Sequence, residues 1–259
     1  MALSTRQKIT FLGTGTSQGV PIIACDCIVC QSKDAKDKRL RSSIHIEQDN
    51  TSIVFDSGPD FRQQMLRARI KRMDALIFTH GHKDHTAGFD DIRGFNFIQQ
   101  SDMEVFCDKR VEETLRKDFD YVFADTKYPG VPKANLHRIE NELFTVNGIP
   151  IQPIHVLHYK LPVFGFRIND FTYITDANYI SEEEKEKIKG SKVFVINALR
   201  REKHISHFTL QEAIELAQEI GAERTYFTHI SHQLGLHQEV QRELPEGIEL
   251  AYDGLVIEL

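Results

Sequence analysis

Three histidines and one aspartate fall within residues 79–85 of this 259-residue chain. Alternate residues of an extended loop share a side, so His80 and His82 can direct their rings at one ion. Asp84 and His85 follow closely enough to reach a second ion nearby. Imidazole is a ligand of zinc, manganese and iron, and a carboxylate adds negative charge that lets two cations lie close together. The spacing therefore predicts a two-metal site rather than a solvated polar loop.

A second group of candidate ligands lies earlier in the chain, where Cys25, Cys27 and Cys30 are crowded together. Such crowding favours a metal site over a disulfide framework and is typical of a reducing cytoplasm. Three thiolates leave a tetrahedral zinc ion one ligand short. The fourth ligand could be Cys107, which lies in a predicted strand, or a distant histidine.

The elements that must position these residues follow from the pattern of apolar residues. The apolar run at 75–78 predicts a buried strand that ends where the histidine segment begins. Further strands are predicted at 8–12, 43–46, 52–55, 150–156, 165–168, 172–175, 193–198 and 224–227. Helices are predicted at 59–72, 109–119 and 210–220, the last capped by Thr209 and stopped by Gly221. Two short strands after residue 247, joined by a turn at 252–254, are predicted to close the chain.

Composition sets limits on the class of protein. Because 41% of the residues are hydrophobic, the chain can bury a full core, and one domain over residues 1–259 is predicted. A formal net charge of −6 gives no general attraction to nucleic-acid phosphate. Residues 1–8 lack the apolar region of a secretory signal, and no apolar stretch approaches the roughly 18 residues that span a bilayer. We therefore expect a cytoplasmic protein without a membrane segment. The charged residues 33–41 are predicted to form a solvated linker.

The histidine segment resembles the metal-binding signature of the metallo-β-lactamase superfamily, and the resemblance extends over nearly the whole chain. It implies an α/β (α+β) fold, a four-layer αββα sandwich with the metal ions at one edge. Residues 12–17, Leu-Gly-Thr-Gly-Thr-Ser, resemble the opening of two branches, the cyclic phosphodiesterases and the tRNA 3′-processing endonucleases. The cysteine triplet resembles the phosphoribosyl 1,2-cyclic phosphate phosphodiesterases of the carbon–phosphorus lyase pathway, and a pyrroloquinoline-quinone biosynthesis member. The endonuclease branch generally lacks it.

This resemblance implies a set of ligands. The first metal ion would be held by His80, His82 and His158, the second by Asp84, His85 and His229, with Asp176 between them. His232 would complete the cysteine site, giving a structural zinc on Cys25, Cys27, Cys30 and His232. Asp56 would support the metal-bearing loop from behind.

Further residues are implied to contact the substrate. His207 matches the position whose histidine touches the phosphate, and Asp84 and His207 are the predicted catalytic residues. Arg200 and Arg201 lie in a cation-rich loop that would suit an anionic substrate. The glycine-rich loop at 13–21 is either a tight turn beneath the site or, through its backbone N–H groups or Ser17, part of the substrate pocket.

The resulting prediction is a phosphodiesterase that hydrolyses a small cyclic phosphodiester with hydroxide activated by two metal ions. Zinc and manganese both suit the catalytic ligands. A tRNA 3′-processing endonuclease is the rival enzyme, and a non-catalytic metal-binding scaffold is the rival from another class. The expected partner is a small phosphorylated substrate, and nucleic acid is disfavoured by the acidic balance. The aromatic residues in 119–133 could form a substrate lid, a homodimer contact or a plain connecting loop.

Overall fold

The computed structural model describes residues 6–126 and 128–259. The chain divides into two compact units. Unit 1 takes the residues up to Leu12, Ser43–Glu140 and Gly254–Leu259, and unit 2 takes Gly13–Ser42 and Asn141–Asp253. The expected single domain over residues 1–259 stays a prediction.

Unit 1 is built on a seven-stranded sheet in the order β15-β1-β2-β3-β4-β5-β6. Its strands are β1 (Gln7–Gly13), β2 (Ser43–Gln48), β3 (Thr51–Phe55), β4 (Ala75–Ile77), β5 (Met103–Cys107), β6 (Ala134–Arg138) and β15 (Val256–Glu258). The strands predicted at 43–46 and 52–55 are present as β2 and β3, which pair antiparallel, and β3, β4, β5 and β6 run parallel. Parallel neighbours bring the carboxyl ends of β3 and β4 to the same sheet edge, where Asp56 and the histidine segment begin.

Unit 2 is built on an eight-stranded sheet in the order β11-β8-β9-β10-β12-β13-β14, with β7 paired to β8. Its strands are β7 (Phe144–Val146), β8 (Ile149–His158), β9 (Leu161–Ile168), β10 (Phe171–Tyr173), β11 (Tyr179–Ile180), β12 (Val193–Asn197), β13 (Arg224–Thr228) and β14 (Ile248–Leu250). Strands β10, β12, β13 and β14 run parallel. The carboxyl ends of β10 and β13 therefore face the same edge, and each leads directly towards a candidate ligand.

Helices pack on the sheet within each unit. In unit 1 they are α2 (Phe61–Ala68), α3 (Lys83–Thr86), α4 (Arg93–Gln99), α5 (Lys109–Asp118) and α6 (Asp120–Phe123), with a 3₁₀ helix at Phe89–Ile92. In unit 2 they are α1 (Ile28–Gln31), α7 (Glu182–Ile188), α8 (Leu210–Ile220) and α9 (His237–Glu243), with a 3₁₀ helix at Ala35–Asp37. Helices α2 and α5 bury Phe61, Met65, Val111 and Leu115 in the core of unit 1. Helix α8 buries Leu210, Ala213, Leu216, Ala217 and Ile220 in the core of unit 2.

Two predictions about the ends of elements are corrected. The helix predicted over 59–72 ends at Ala68, because Arg69 adopts the left-handed conformation with φ of 55°. The two closing strands do not form a hairpin, since β14 pairs with β13 in unit 2 and β15 pairs with β1 in unit 1. The residues at 252–254 therefore connect two sheets.

The prediction that residues 33–41 form a solvated linker is wrong. Asp37 and Arg39 are buried, with 3% and 4% exposure. Arg39 donates hydrogen bonds to Thr14 Oγ1 at 2.8 Å and to the Ala251 carbonyl at 2.6 Å. Asp37 accepts from the backbone N–H of His237 at 2.8 Å. Burial of these charged groups is tolerated because each has found polar partners far away in sequence.

Within the described residues, no helix is both long and apolar enough to cross a membrane.

Candidate metal centre

Asp56 is the buried support of the histidine segment in unit 1. It follows β3 in the left-handed conformation, with φ of 64°, and its side chain is fully buried. Its carboxylate accepts hydrogen bonds from the backbone N–H and the hydroxyl of Thr79, each at 2.9 Å. It also accepts from His85 Nδ1 at 2.7 Å. Burial raises the pKa of Asp56, while His85 and Thr79 act in the opposite direction. The residue is therefore tied to the segment that it was predicted to support.

These contacts decide which nitrogen of two histidines carries the proton. The Thr79 hydroxyl donates to Asp56, so its oxygen accepts from His80 Nδ1, 3.0 Å away. His85 likewise donates through Nδ1 to Asp56. Both rings therefore present the lone pair of Nε2, as metal-binding histidines held by a second hydrogen bond do.

The lone pairs in unit 1 point at other candidate ligands. His80 Nε2 lies 3.0 Å from His82 Nδ1, a separation suited to two ligands of one ion with Zn–N bonds of about 2.0–2.1 Å. His85 Nε2 lies 3.1 Å from Asp84 Oδ2. With its proton on Nδ1, His85 turns an acceptor nitrogen towards a carboxylate oxygen, and a cation relieves their repulsion. The four residues of this segment thus fit divalent cations.

Unit 2 carries the remaining predicted catalytic ligands, all near strand ends. His158 is the last residue of β8, and its Nδ1 donates to the Ser206 carbonyl at 2.9 Å, which leaves the lone pair on Nε2. Asp176 follows β10, and its Oδ1 accepts from the Thr175 hydroxyl at 2.9 Å. The same oxygen lies 3.0 Å from Nδ1 of His229, which follows β13 with φ of 53°.

His207 is brought to this group in unit 2. One ligand atom from each of His158, Asp176 and His207 lies within 4.8 Å of the other two. His207 is buried, and its Nδ1 has no hydrogen-bond partner among the described residues. Burial, reinforced by the neighbouring His229, lowers the pKa of His207 to about 2, so the ring is neutral. A buried nitrogen in this state suits hydrogen bonding to a bound ligand.

The two arginines predicted to bind substrate are occupied by their own chain. Arg200 donates to Gln233 Oε1 at 2.8 Å and to the Lys203 carbonyl at 3.1 Å. Arg201 forms an ion pair with Glu243 at 2.7 Å. Their role in binding substrate stays a prediction, and these contacts do not favour it.

The cysteine triplet meets His232 within unit 2. His232 Nδ1 lies 3.3 Å from Sγ of Cys25 and of Cys27, and 3.6 Å from Sγ of Cys30. All four ligand atoms lie within 4.8 Å of one another. Three sulfurs and one imidazole nitrogen match the donor set of a closed tetrahedral zinc site.

A backbone donor favours thiolate at Cys27, whereas burial raises the pKa of Cys30 to about 11. The backbone N–H of Cys30 donates to Cys27 Sγ at 3.4 Å, and this contact lowers the pKa of Cys27 to about 6. Cys107, the alternative fourth ligand, lies in β5 of unit 1 and is absent from this cluster of described residues. Burial raises the pKa of Cys107 to about 12, as in a structural thiol.

Sequence reasoning missed residues that support the candidate ligands. In the glycine-rich loop, Ser17 is exposed, whereas Thr16 Oγ1 lies 3.3 Å from His229 Nε2. Ser42 Oγ lies 3.2 Å from His229 Nδ1. The loop itself was a signal for Thr16, but nothing in the sequence around Ser42 distinguishes it from a solvated serine.

Comparison with known proteins gives the class of this protein. Residues 51–230 match the model of the Beta-lactamase superfamily domain. The chain therefore belongs to the metallo-β-lactamase superfamily, and the predicted fold class, an α/β sandwich of that type, is confirmed. This is a family of metal-dependent hydrolases, and its fold implies a divalent metal ion.

Within the superfamily, the chain resembles the PhnP family. A crystal structure described as a new diphosphatase from that family matches with a TM-score of 0.93 and 38% identity, over 98% of this chain and 97% of that one. Zinc-bound PqqB from Methylobacterium extorquens shares the fold, with a TM-score of 0.77 at 19% identity, over 97% of this chain and 100% of that one.

A curated relative is considerably longer than this chain. An octanoyltransferase from Porphyromonas gingivalis is 39% identical over 251 residues, which are 96% of this chain and 51% of the relative. The chain thus spans about half the length of that relative.

Proposed function

We propose that this protein is a phosphodiesterase that hydrolyses a small cyclic phosphodiester, such as phosphoribosyl 1,2-cyclic phosphate, with a pair of divalent cations. The observation that carries the proposal is the orientation of three imidazoles. His80, His85 and His158 each hold Nδ1 against an oxygen acceptor, which leaves Nε2 as the ligand nitrogen. Resemblance to the PhnP family supports the same reaction class.

The proposed ligand set is the one that the resemblance to the superfamily implies. The first cation would be held by His80, His82 and His158, the second by Asp84, His85 and His229, with Asp176 shared. When bound, the cations would lower the pKa of a water molecule and take up charge on the phosphoryl oxygens. These ligands suit zinc or manganese, and either metal is compatible with the proposal.

The chain's own residues have distinct tasks in this proposal. Asp56 and Thr79 fix His80 and His85, and the Ser206 carbonyl fixes His158. As a neutral ring, His207 would donate a hydrogen bond to a phosphoryl oxygen, and the leaving alkoxide would take its proton from water. Its buried Nδ1, which lacks a partner among the described residues, supports a contact with a ligand. Cys25, Cys27, Cys30 and His232 would hold a separate structural zinc.

A second candidate is hydrolysis of a diphosphate bond, favoured by the relative described as a diphosphatase at 38% identity. Both reactions require attack on phosphorus, so the same ligands suit either. We rank tRNA 3′-end processing lower, because the chain has a net charge of −6 and carries the cysteine triplet. Acyl transfer is not proposed, because the chain spans only half of the relative with that name. A cytoplasmic location and a homodimer remain expectations.

A substrate panel with metal-loaded protein tests the proposal. We expect cyclic phosphodiesters to be hydrolysed faster than linear diesters, dinucleoside diphosphates or precursor tRNA. His82→Ala and Asp176→Ala should abolish turnover without unfolding the protein, whereas Cys107→Ala, in a buried thiol outside the site, should retain it.

Three results would redirect the proposal. Preferred cleavage of diphosphates would support the second candidate, and site-specific trimming of tRNA would support the endonuclease. Bound metal with no turnover on any member of the panel would favour a non-catalytic scaffold. Near-full turnover by either ligand variant would refute the ligand assignment.

A further inference from the structure

The hydroxyl of Ser42 has a fixed direction that bears on His229. Ser42 is buried, with 2% exposure, and its Oγ lies 3.0 Å from the Gly15 carbonyl. A carbonyl oxygen can only accept, so the hydroxyl proton points at Gly15. Its oxygen, 3.2 Å from His229 Nδ1, must then act as the acceptor for that nitrogen. The contact therefore requires a proton on Nδ1 and leaves the lone pair on Nε2, where the Thr16 hydroxyl lies 3.3 Å away and can donate to it.

Asp176 is a poorer acceptor than Ser42 for the proton on His229 Nδ1. Its Oδ1 also lies 3.0 Å from His229 Nδ1, but Asp176 is itself a proposed metal ligand. A carboxylate that gives electron density to cations is a weaker acceptor for a neighbouring N–H. Ser42 is the nearby acceptor that the proposed ligand set does not use.

The backbone around Ser42 is hydrogen-bonded to the glycine-rich loop at 13–21, which carries Gly15. Ser42 N donates to the Gly15 carbonyl at 3.1 Å, and Gly15 N donates to the Leu40 carbonyl at 2.8 Å. On its other side this loop joins the residue after His229, since Ile230 N donates to the Thr14 carbonyl at 2.9 Å. The buried Arg39 donates to Thr14 Oγ1 at 2.8 Å, which anchors the arrangement from behind.

We infer that Ser42 is a positioning residue for His229, fixing its ring with the proton on Nδ1 so that Nε2 is presented to a metal ion. This inference rests on the proposed metal-binding role of His229. It assigns a task to Ser42, which directly follows the segment 33–41 that was predicted to be a solvated linker. Partners of this kind typically change metal affinity by about 10- to 100-fold when removed.

The tautomer can be measured directly in the unmodified protein. In ¹⁵N-labelled protein stripped with chelator, long-range ¹H–¹⁵N correlation should show His229 protonated on Nδ1 and unprotonated on Nε2. Protonation on Nε2 would overturn the inference. This measurement needs no variant, so it decides the matter even if a Ser42 variant fails to fold.

Metal affinity in variants tests the contribution of the hydroxyl. Ser42→Ala should weaken binding at one catalytic position by about 10- to 100-fold, measured by competition with a chelator. Ser191→Ala is the matched control, because Ser191 is buried and also donates to a backbone carbonyl, at 2.7 Å to Ile188, and has no histidine partner among the described residues. It should bind metal as the parent does.

Different results would reject the role of Ser42 and the proposed function. Unchanged tautomer and metal affinity in Ser42→Ala would show that Asp176 alone orients His229, whatever the substrate. A protein inactive on every phosphodiester, yet with Ser42-dependent metal affinity, would reject the function and retain the inference.

Discussion

Removal of His232 is the sharpest test of the cysteine cluster, because this residue alone joins it to the late part of the chain. Cys30 and His232 are 202 positions apart, so a shared zinc ion closes a very long loop. Applying the loop-length scaling for disulfides to this length gives about 5 kcal/mol as an upper value for restriction of the unfolded chain. His232→Ala should lower the free energy of unfolding by up to this amount. It should also lose zinc, because three thiolates leave the fourth position open.

Urea unfolding at fixed zinc concentration, with elemental analysis of zinc per chain, measures both effects. Cys107→Ala is the control, since Cys107 is a fully buried thiol in unit 1 and should keep the full zinc complement. A smaller secondary loss of hydrolysis is expected in His232→Ala, because His232 lies three residues after the proposed ligand His229. A variant that retains its full zinc complement and unfolds within about 1 kcal/mol of the parent would refute the reasoning.

Two further predictions concern buried polar groups in unit 1. Asp56→Ala should lower the free energy of unfolding by about 3–5 kcal/mol, because Thr79 and His85 lose their buried acceptor; a urea-measured loss below about 1 kcal/mol would contradict this. Burial lowers the pKa of His45 from 6.5 to about 4, so the unfolded chain binds the proton more tightly. Stability should therefore fall as pH drops from 6.5 towards 4, by up to about 3 kcal/mol, and His45→Gln should flatten that part of the urea-measured profile. An equally steep profile in the variant would show that other groups cause the loss.

Local chemistry explains which parts of the fold were predictable. Helix α8 occupies the predicted residues Leu210–Ile220, because Thr209 and Glu212 form a complete capping box and Gly221 adopts the left-handed C-cap conformation. The helix predicted over 59–72 was too long because its end depends on a left-handed Arg69, a conformation that an arginine does not signal. Strand β11 has only two residues and was missed, since so short a run has no detectable periodicity.

Only some residues of the candidate metal centre could be predicted from local sequence. Sequence spacing grouped His80 to His85, because ligands close in sequence on one loop leave a local pattern. The ligands in unit 2 came from resemblance to a family, since each is a lone residue at a strand end. Arg39 and Ser42 were misjudged or missed because their partners, such as Ala251 and His229, are about two hundred residues away. A pattern within one segment carries no information about such contacts.

The pairing of β1 with β15 has a consequence for synthesis of the protein. Arg6 and Glu258, which form an ion pair beside these two strands, are separated by 252 positions. A ribosome adding about 5–20 residues per second needs roughly 10–50 s to deliver the partner of β1. Until β15 is made, the outer side of β1 has no partner strand, and such an edge is a template for pairing with other chains. Nascent chains should therefore depend on protection by chaperones and aggregate more readily when translation is slowed before β15 is made.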